Sequence, residues 1–208
     1  MSSIFENFYG VNLSTFNNHP TFFGAVFFVG GCNLRCSWCH NKKIVLKKGD
    51  PIDKEILQDF IKRCAYYQKK FGDFSLTITG GEPTIYSDLP NFLDFIKNDF
   101  PSIKLDSNGI NYNMLKDILK YDLANLIAID IKYPPQKYAQ YLDVSGDFLY
   151  NIFDLSTKYK NKFLFRTTLN NELSLNDTEE IDRLIKRYNL QHNYQKFIEP
   201  TETWEDLK

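Results

Sequence analysis

Between residues 31 and 41 the chain reads GCNLRCSWCHN, with cysteines at 32, 36 and 39 in a sequence that holds only one other, Cys64. Three thiols do not pair off into disulfides, and a structural zinc site takes four ligands. Spaced CxxxCxxC on one loop, the thiolates of Cys32, Cys36 and Cys39 can converge on a single centre. Clusters of four irons are normally held by four cysteines, so three would leave one iron open to another molecule. A zinc site completed by His40 and plain burial of small apolar thiols are the competing readings. His40 directly follows Cys39 and is poorly placed to turn back to the same ion. Cys64 lies among apolar neighbours in a helical stretch and reads as core.

The elements that must position this loop come from hydrophobic periodicity. Apolar runs of strand length occur at 24–31, 74–81, 103–109, 124–132, 162–169 and 194–200. Amphipathic helical stretches fall between them, at 53–71, 88–100 (Asp88 capping, Pro90 opening), 112–120, 136–158 and 177–188. Strand and helix in alternation predict an α/β fold in which parallel strands curl into a partial (β/α)6 barrel through right-handed crossovers. One domain is expected over 1–208, with its core at about 22–200. In such folds chemistry sits at the C-terminal ends of the strands. The words GGCNLRC, TGGEP, DSNG, DIK and RTT fall there, one strand after another.

Composition narrows the setting. With 25 basic and 26 acidic side chains the formal net charge is -1, which offers no electrostatic footprint for nucleic acid or an anionic membrane. The sequence has no apolar run long enough to span a bilayer, and MSSIFENFYG lacks the layout of a signal peptide, so the cytoplasm is the expected compartment. Thiols stay reduced there, which again favours a metal or redox role for clustered cysteines.

The CxxxCxxC loop after the first strand, with TGGEP after the second, resembles the radical S-adenosylmethionine superfamily. The resemblance implies a radical SAM core and a 4Fe-4S cluster on Cys32, Cys36 and Cys39. S-adenosylmethionine would then bind through its amino and carboxylate groups to the open iron. One-electron cleavage would yield a 5'-deoxyadenosyl radical that takes a hydrogen atom from the substrate. It implies that Gly80, Gly81 and Glu82 hold the methionine amino group, that Arg166 pairs with the methionine carboxylate, and that Trp38 packs near adenine. Taken alone, the Gly-Gly pair reads as a turn and Arg166 as a structural ion pair.

LDSNG (105–109), AIDIK (128–132), FRTT (165–168) and the CHN after the loop narrow the likeness to activating enzymes of glycyl radical proteins. The nearest are the activating proteins of anaerobic ribonucleoside-triphosphate reductase, over about residues 26–200. By that resemblance Asp106, Ser107, Asn108 and Asp130 contact the cofactor, Asp106, Ser107 and Asp130 coordinate a monovalent cation, and Lys132 lies near the cofactor carboxylate. Ser107 stands where the family usually has threonine and keeps the hydroxyl. The implied partners are a glycyl radical enzyme and a flavodoxin or ferredoxin as electron donor, which the lysines of KKIVLKK (42–48) could meet, although a solvated basic face is the simpler reading. The segment STFNNHPTFFG (14–24) departs from the family's Asp-x-Pro-Gly word and leaves the target open. A 7-carboxy-7-deazaguanine synthase acting on a pterin is the alternative enzyme, and a redox-sensing iron–sulfur or zinc module the non-enzymatic one. His19, His40 and His192 receive no role.

Overall fold

FGAVFFV at Phe23–Val29 (β2) and FSLTITG at Phe74–Gly80 (β3) are buried along most of their length, as strands covered on both faces must be. They pair in parallel, and Ile103–Ser107 (β4), Leu126–Asp130 (β5), Phe163–Leu169 (β6) and His192–Lys196 (β7) continue the parallel series. The structure is a computed structural model that describes residues 3–207. Its sheet runs in strict chain order and does not close on itself, so the six expected strands form an open, partial barrel.

A seventh strand was not expected. Phe8–Thr15 (β1) pairs antiparallel with β2 at the sheet edge. Its sequence, FYGVNLST, mixes Gly and Asn into a weak alternation, and its stability comes from pairing and from Phe8, which is wholly buried. The residue before it matters for the cysteine loop. Gly30 N–H donates to Asn7 O (2.7 Å), and Lys47 Nζ donates to Asn7 Oδ1 (2.7 Å).

The helices are Lys42–Val45 (α1), Lys54–Phe71 (α2), Leu89–Ile96 (α3), Tyr112–Lys120 (α4), Tyr138–Leu142 (α5), Phe148–Lys158 (α6) and Leu175–Tyr188 (α7). Asp53 caps α2 and Ser174 closes a capping box with Asp177 on α7. The single helix expected over 136–158 is broken, because Asp143 adopts a left-handed conformation. Asp88 precedes α3 but does not cap it; its carboxylate accepts from Ser3 Oγ and Ile4 N instead.

Side chains alternate between the two faces of each strand. Phe27, Ile78, Leu105, Ile127, Ile129 and Phe165 face the helices and join one apolar core with Leu57, Ile61, Phe92, Ile118 and Phe153. Cys64 lies inside that core, as its sequence context indicates. The register pairs Thr77 with Lys104 and Asp130 with Arg166, so the opposite, concave face carries Thr77, Lys104, Asp106, Asp130 and Arg166. A barrel interior lined by charge is a binding interior. No helix among the described residues is long and apolar enough to cross a membrane.

Candidate functional site

The cysteine loop leaves β2 and is held by its backbone. Arg35 Nη1 donates to Cys32 O (2.8 Å), Trp204 Nε1 to Cys36 O (3.0 Å) and Lys42 Nζ to Cys39 O (2.8 Å). A cationic or indole donor thus fixes each cysteine carbonyl and leaves the thiols to the cavity. Burial pushes the Cys32 thiol up to about 11 and raises Cys39 as well. Such thiols ligate a metal by losing their protons, and the metal's charge then offsets the cost of the buried thiolates. Lys42 is buried, Lys43 pairs with Glu202 (2.8 Å) and Lys47 with Asn7, so the lysine run is mostly tied into the fold and is not a free basic face.

Gly80 and Gly81 are demanded by this loop. A Cβ on Gly81 would stand 1.7 Å from Gly31 O, and Gly80, at φ +120°, would place one 2.4 Å from Val29 N. Only glycine lets the end of β3 lie against the start of the loop. The contact is sealed by Gly81 N–H to Val29 O (2.8 Å), Glu82 N–H to Gly31 O (2.9 Å) and Asn41 Nδ2 to Gly80 O (2.8 Å).

Glu82 is 1% exposed and joins three strand ends. Its Oε1 accepts from Thr84 N (3.1 Å), Thr84 Oγ1 (2.6 Å) and Ser107 Oγ (2.9 Å), and its Oε2 from Asn108 N (2.6 Å). Burial raises its pKa, while these donors oppose the rise. Asn108 Nδ2 continues the chain to Asn33 Oδ1 (2.7 Å) on the cysteine loop. The carboxylate is therefore first a brace between the β3 end, the β4 end and the loop, and only Oε2 keeps room for a ligand donor.

Cys32, Cys36, Cys39, Trp38, Gly80, Gly81, Glu82, Asp106, Ser107, Asn108, Asp130 and Lys132 line one cavity of about 220 Å³, open to solvent. Twelve of the thirteen residues singled out in sequence meet there. Arg166 does not line it. Its Nε and Nη2 hold Asp130 Oδ1 (2.9 and 2.8 Å), and Nη1 reaches Asp106 Oδ2 at 3.4 Å. The guanidinium is a clamp behind the acids, and Lys132 is the cation that faces the cavity, 3.7 Å from Asp130 Oδ2. Burial works against charge on Asp130, but Arg166 and then Lys132 overcome it and hold the carboxyl below its ordinary range. Burial likewise opposes Lys132, yet Cys36 and Asp130 lift its pKa above that of a free lysine. Trp38 packs edge-on against Tyr133 at 5.3 Å. Sequence reasoning missed Lys104, whose ammonium sits on Asp106, and Trp204, which covers the loop. Period-two alternation before Asp106 could have revealed the first; nothing local announces the second.

The family model described as Radical SAM superfamily matches residues 26–185. MJ1227 of Methanocaldococcus jannaschii, provisionally named a glycyl-radical enzyme activating enzyme, is 30% identical over 94% of this chain and 81% of its own length. MJ1632 of the same organism, named in the same way, is 29% identical over 75% of this chain and 59% of its own. Among solved structures, Streptococcus suis SuiB bound to S-adenosylmethionine shares the fold, with a TM-score of 0.63 at 17% identity over 83% of this chain and 40% of that one.

Proposed function

Because the chain belongs to the radical S-adenosylmethionine superfamily, we propose that it is an activase that places a radical on a backbone glycine of a partner enzyme. The observation that carries the reading is the single cavity in which the three cysteines, the GGE segment and the Asp130–Lys132 pair meet at the C-terminal ends of parallel strands. Members of the superfamily use a 4Fe-4S cluster and S-adenosylmethionine, which together supply reductive cleavage of the sulfonium and the hydrogen-abstracting radical.

The donor set suits those groups. Cys32, Cys36 and Cys39 would hold three irons, their carbonyls pinned so that the thiolates keep their direction. Lys132 would meet the methionine carboxylate, and the Gly80–Glu82 backbone would accept from the amino group beside the open iron. Trp38, steadied by Tyr133, gives an apolar wall for adenine. Trp204 and Lys42 keep water off the back of the loop. The sheet stays open between β7 and β1, so a loop of a large protein can enter where a small substrate would be loosely enclosed. The DSNG, DIK and FRTT words favour anaerobic ribonucleoside-triphosphate reductase as that partner, with a flavodoxin or ferredoxin as the electron donor.

The test is anaerobic incubation of the reconstituted protein with S-adenosylmethionine, a reductant and the co-expressed glycyl radical protein. A glycine-centred doublet in the electron paramagnetic resonance spectrum supports the reading. Cleavage that turns over a pterin and leaves the glycyl protein silent assigns the chain to 7-carboxy-7-deazaguanine synthesis instead.

A further inference from the structure

Lys104 is buried to 1% exposure inside the barrel, two residues before Asp106 on β4 and so on the same face. Its ammonium pairs with Asp106 Oδ1. The other oxygen of Asp106 faces Arg166 Nη1 at 3.4 Å, Arg166 grips Asp130 at 2.8 Å, and Asp130 faces Lys132 at 3.7 Å. Three cations thus alternate with two anions in one chain of contacts.

The residues expected to ligate a monovalent cation do not fit one. Both oxygens of Asp106 already face protein cations. Ser107 Oγ is turned away, donating to Glu82 Oε1 (2.9 Å) and accepting from Gly109 N (3.1 Å). Asp130 Oδ1 is held by two guanidinium nitrogens. Asp130 Oδ2 faces the Lys132 ammonium at 3.7 Å, so a further cation would add like charge beside Lys104 and Arg166 where each carboxylate oxygen already faces a protein cation.

We propose that the Lys104 ammonium takes, from within the chain, the place of a bound alkali ion, so that the site works without one. Asp106 and Asp130 carry two negative charges, which Arg166 and Lys132 cancel. Lys104 supplies the surplus positive charge that an incoming carboxylate requires in a water-poor interior. It acts as a positioning residue: it fixes Asp106, which with Asp130 fixes Arg166, and so sets the plane on which Lys132 and the ligand meet. Beside it in register, Thr77 Oγ1 is buried without a hydrogen-bond partner, and its oxygen stands ready to coordinate a small cation should the ammonium be removed. The inference deepens the proposed function, resting on it only for the identity of the carboxylate.

The experiment compares wild type and Lys104→Met, a substitution of similar length without charge. Affinity for S-adenosylmethionine and the melting temperature of the reconstituted protein are measured in potassium, sodium, ammonium and tetramethylammonium chloride at equal ionic strength. Wild type should vary by less than about twofold in affinity across the salts. Lys104→Met in tetramethylammonium should lose about tenfold or more, and should recover affinity and melting temperature saturably with ammonium or potassium. Potassium-dependent binding or stability in wild type overturns the proposal. So does a variant that equals wild type without a small cation, or a loss that no monovalent cation repairs. If the variant folds in no salt, the wild-type comparison decides alone. Neither readout needs the partner protein, so failure of the activase reading leaves this test intact.

Discussion

Replacing Gly81 with alanine drives a methyl group onto the cysteine loop, and the size of the effect follows from the contact. The new Cβ would lie 1.7 Å from Gly31 O, and contacts under 3.0 Å are essentially never found, so the two backbones must part by about 1.3 Å. Parting strains or breaks the Glu82 N–H to Gly31 O and Gly81 N–H to Val29 O hydrogen bonds. Overpacking costs about 1–3 kcal/mol and a weakened buried hydrogen bond about 0.5–1.5 kcal/mol. A total of roughly 2–4 kcal/mol lowers the melting temperature of a chain this size by about 5–15 °C. The chemistry should suffer more, since misplacing a reacting group by about 1 Å costs on the order of 100-fold in rate. Urea melts, iron content after anaerobic reconstitution and the rate of S-adenosylmethionine cleavage read the three effects. Gly10→Ala is the control, because its Cβ would meet Phe28 at an ordinary 3.5 Å. A Gly81→Ala protein with the stability, iron content and cleavage rate of the Gly10→Ala protein would refute the idea that these glycines exist to let β3 touch the loop.

Cys32→Ala, Cys36→Ala and Cys39→Ala should each abolish the brown absorbance and all cofactor cleavage, whereas Cys64→Ala, in the apolar core, should keep both and cost about 1 kcal/mol in a urea melt. His192 is pushed down to about 4 by burial against a weaker pull from Asp182, and His19 to about 4 by burial and then Lys104. Both stay neutral in the folded chain while unfolded imidazole titrates near 6.5, so their contribution is complete above pH 6.5 and is lost as pH falls toward 4. His192→Gln should flatten the pH dependence of the urea midpoint across that window, and an unchanged slope contradicts the assignment. Trp204→Ala frees Cys36 O and uncovers the loop; its cluster should bleach several-fold faster in air at equal starting iron content, and an unchanged bleaching rate would remove the tail from the site.

What the sequence disclosed depended on range. The strands β2 to β6 and the words at their ends were legible because buried strands write apolar residues in short runs and because the chemistry gathers at one edge; β7 was legible only roughly, since its exposed HNYQK lies at His192–Lys196 and not at the expected 194–200. β1 was not, since an edge strand such as FYGVNLST depends on its neighbour for most of its pairing energy. Arg166 shows the limit within the site. Its position on the inner face was readable, but whether a guanidinium meets a ligand or a protein acid depends on the Asp130 register and on Lys132 competing for the cavity. Lys42 looked like one charge in a basic run, yet it turns inward to Cys39 O. The Trp204 contact joins residues 168 positions apart and has no local sign. Lys104 is the reverse case: it shares the period-two pattern of Asp106 and was passed over because the recognisable word begins one residue after it.

Three thiolates around one cavity should hold a cluster with an open corner for S-adenosylmethionine. Anaerobic reconstitution, followed by dithionite and S-adenosylmethionine, tests it most directly. The expected result is about four irons per chain and release of methionine and 5'-deoxyadenosine in equal amounts. One tightly held zinc per chain with S-adenosylmethionine recovered intact would contradict it.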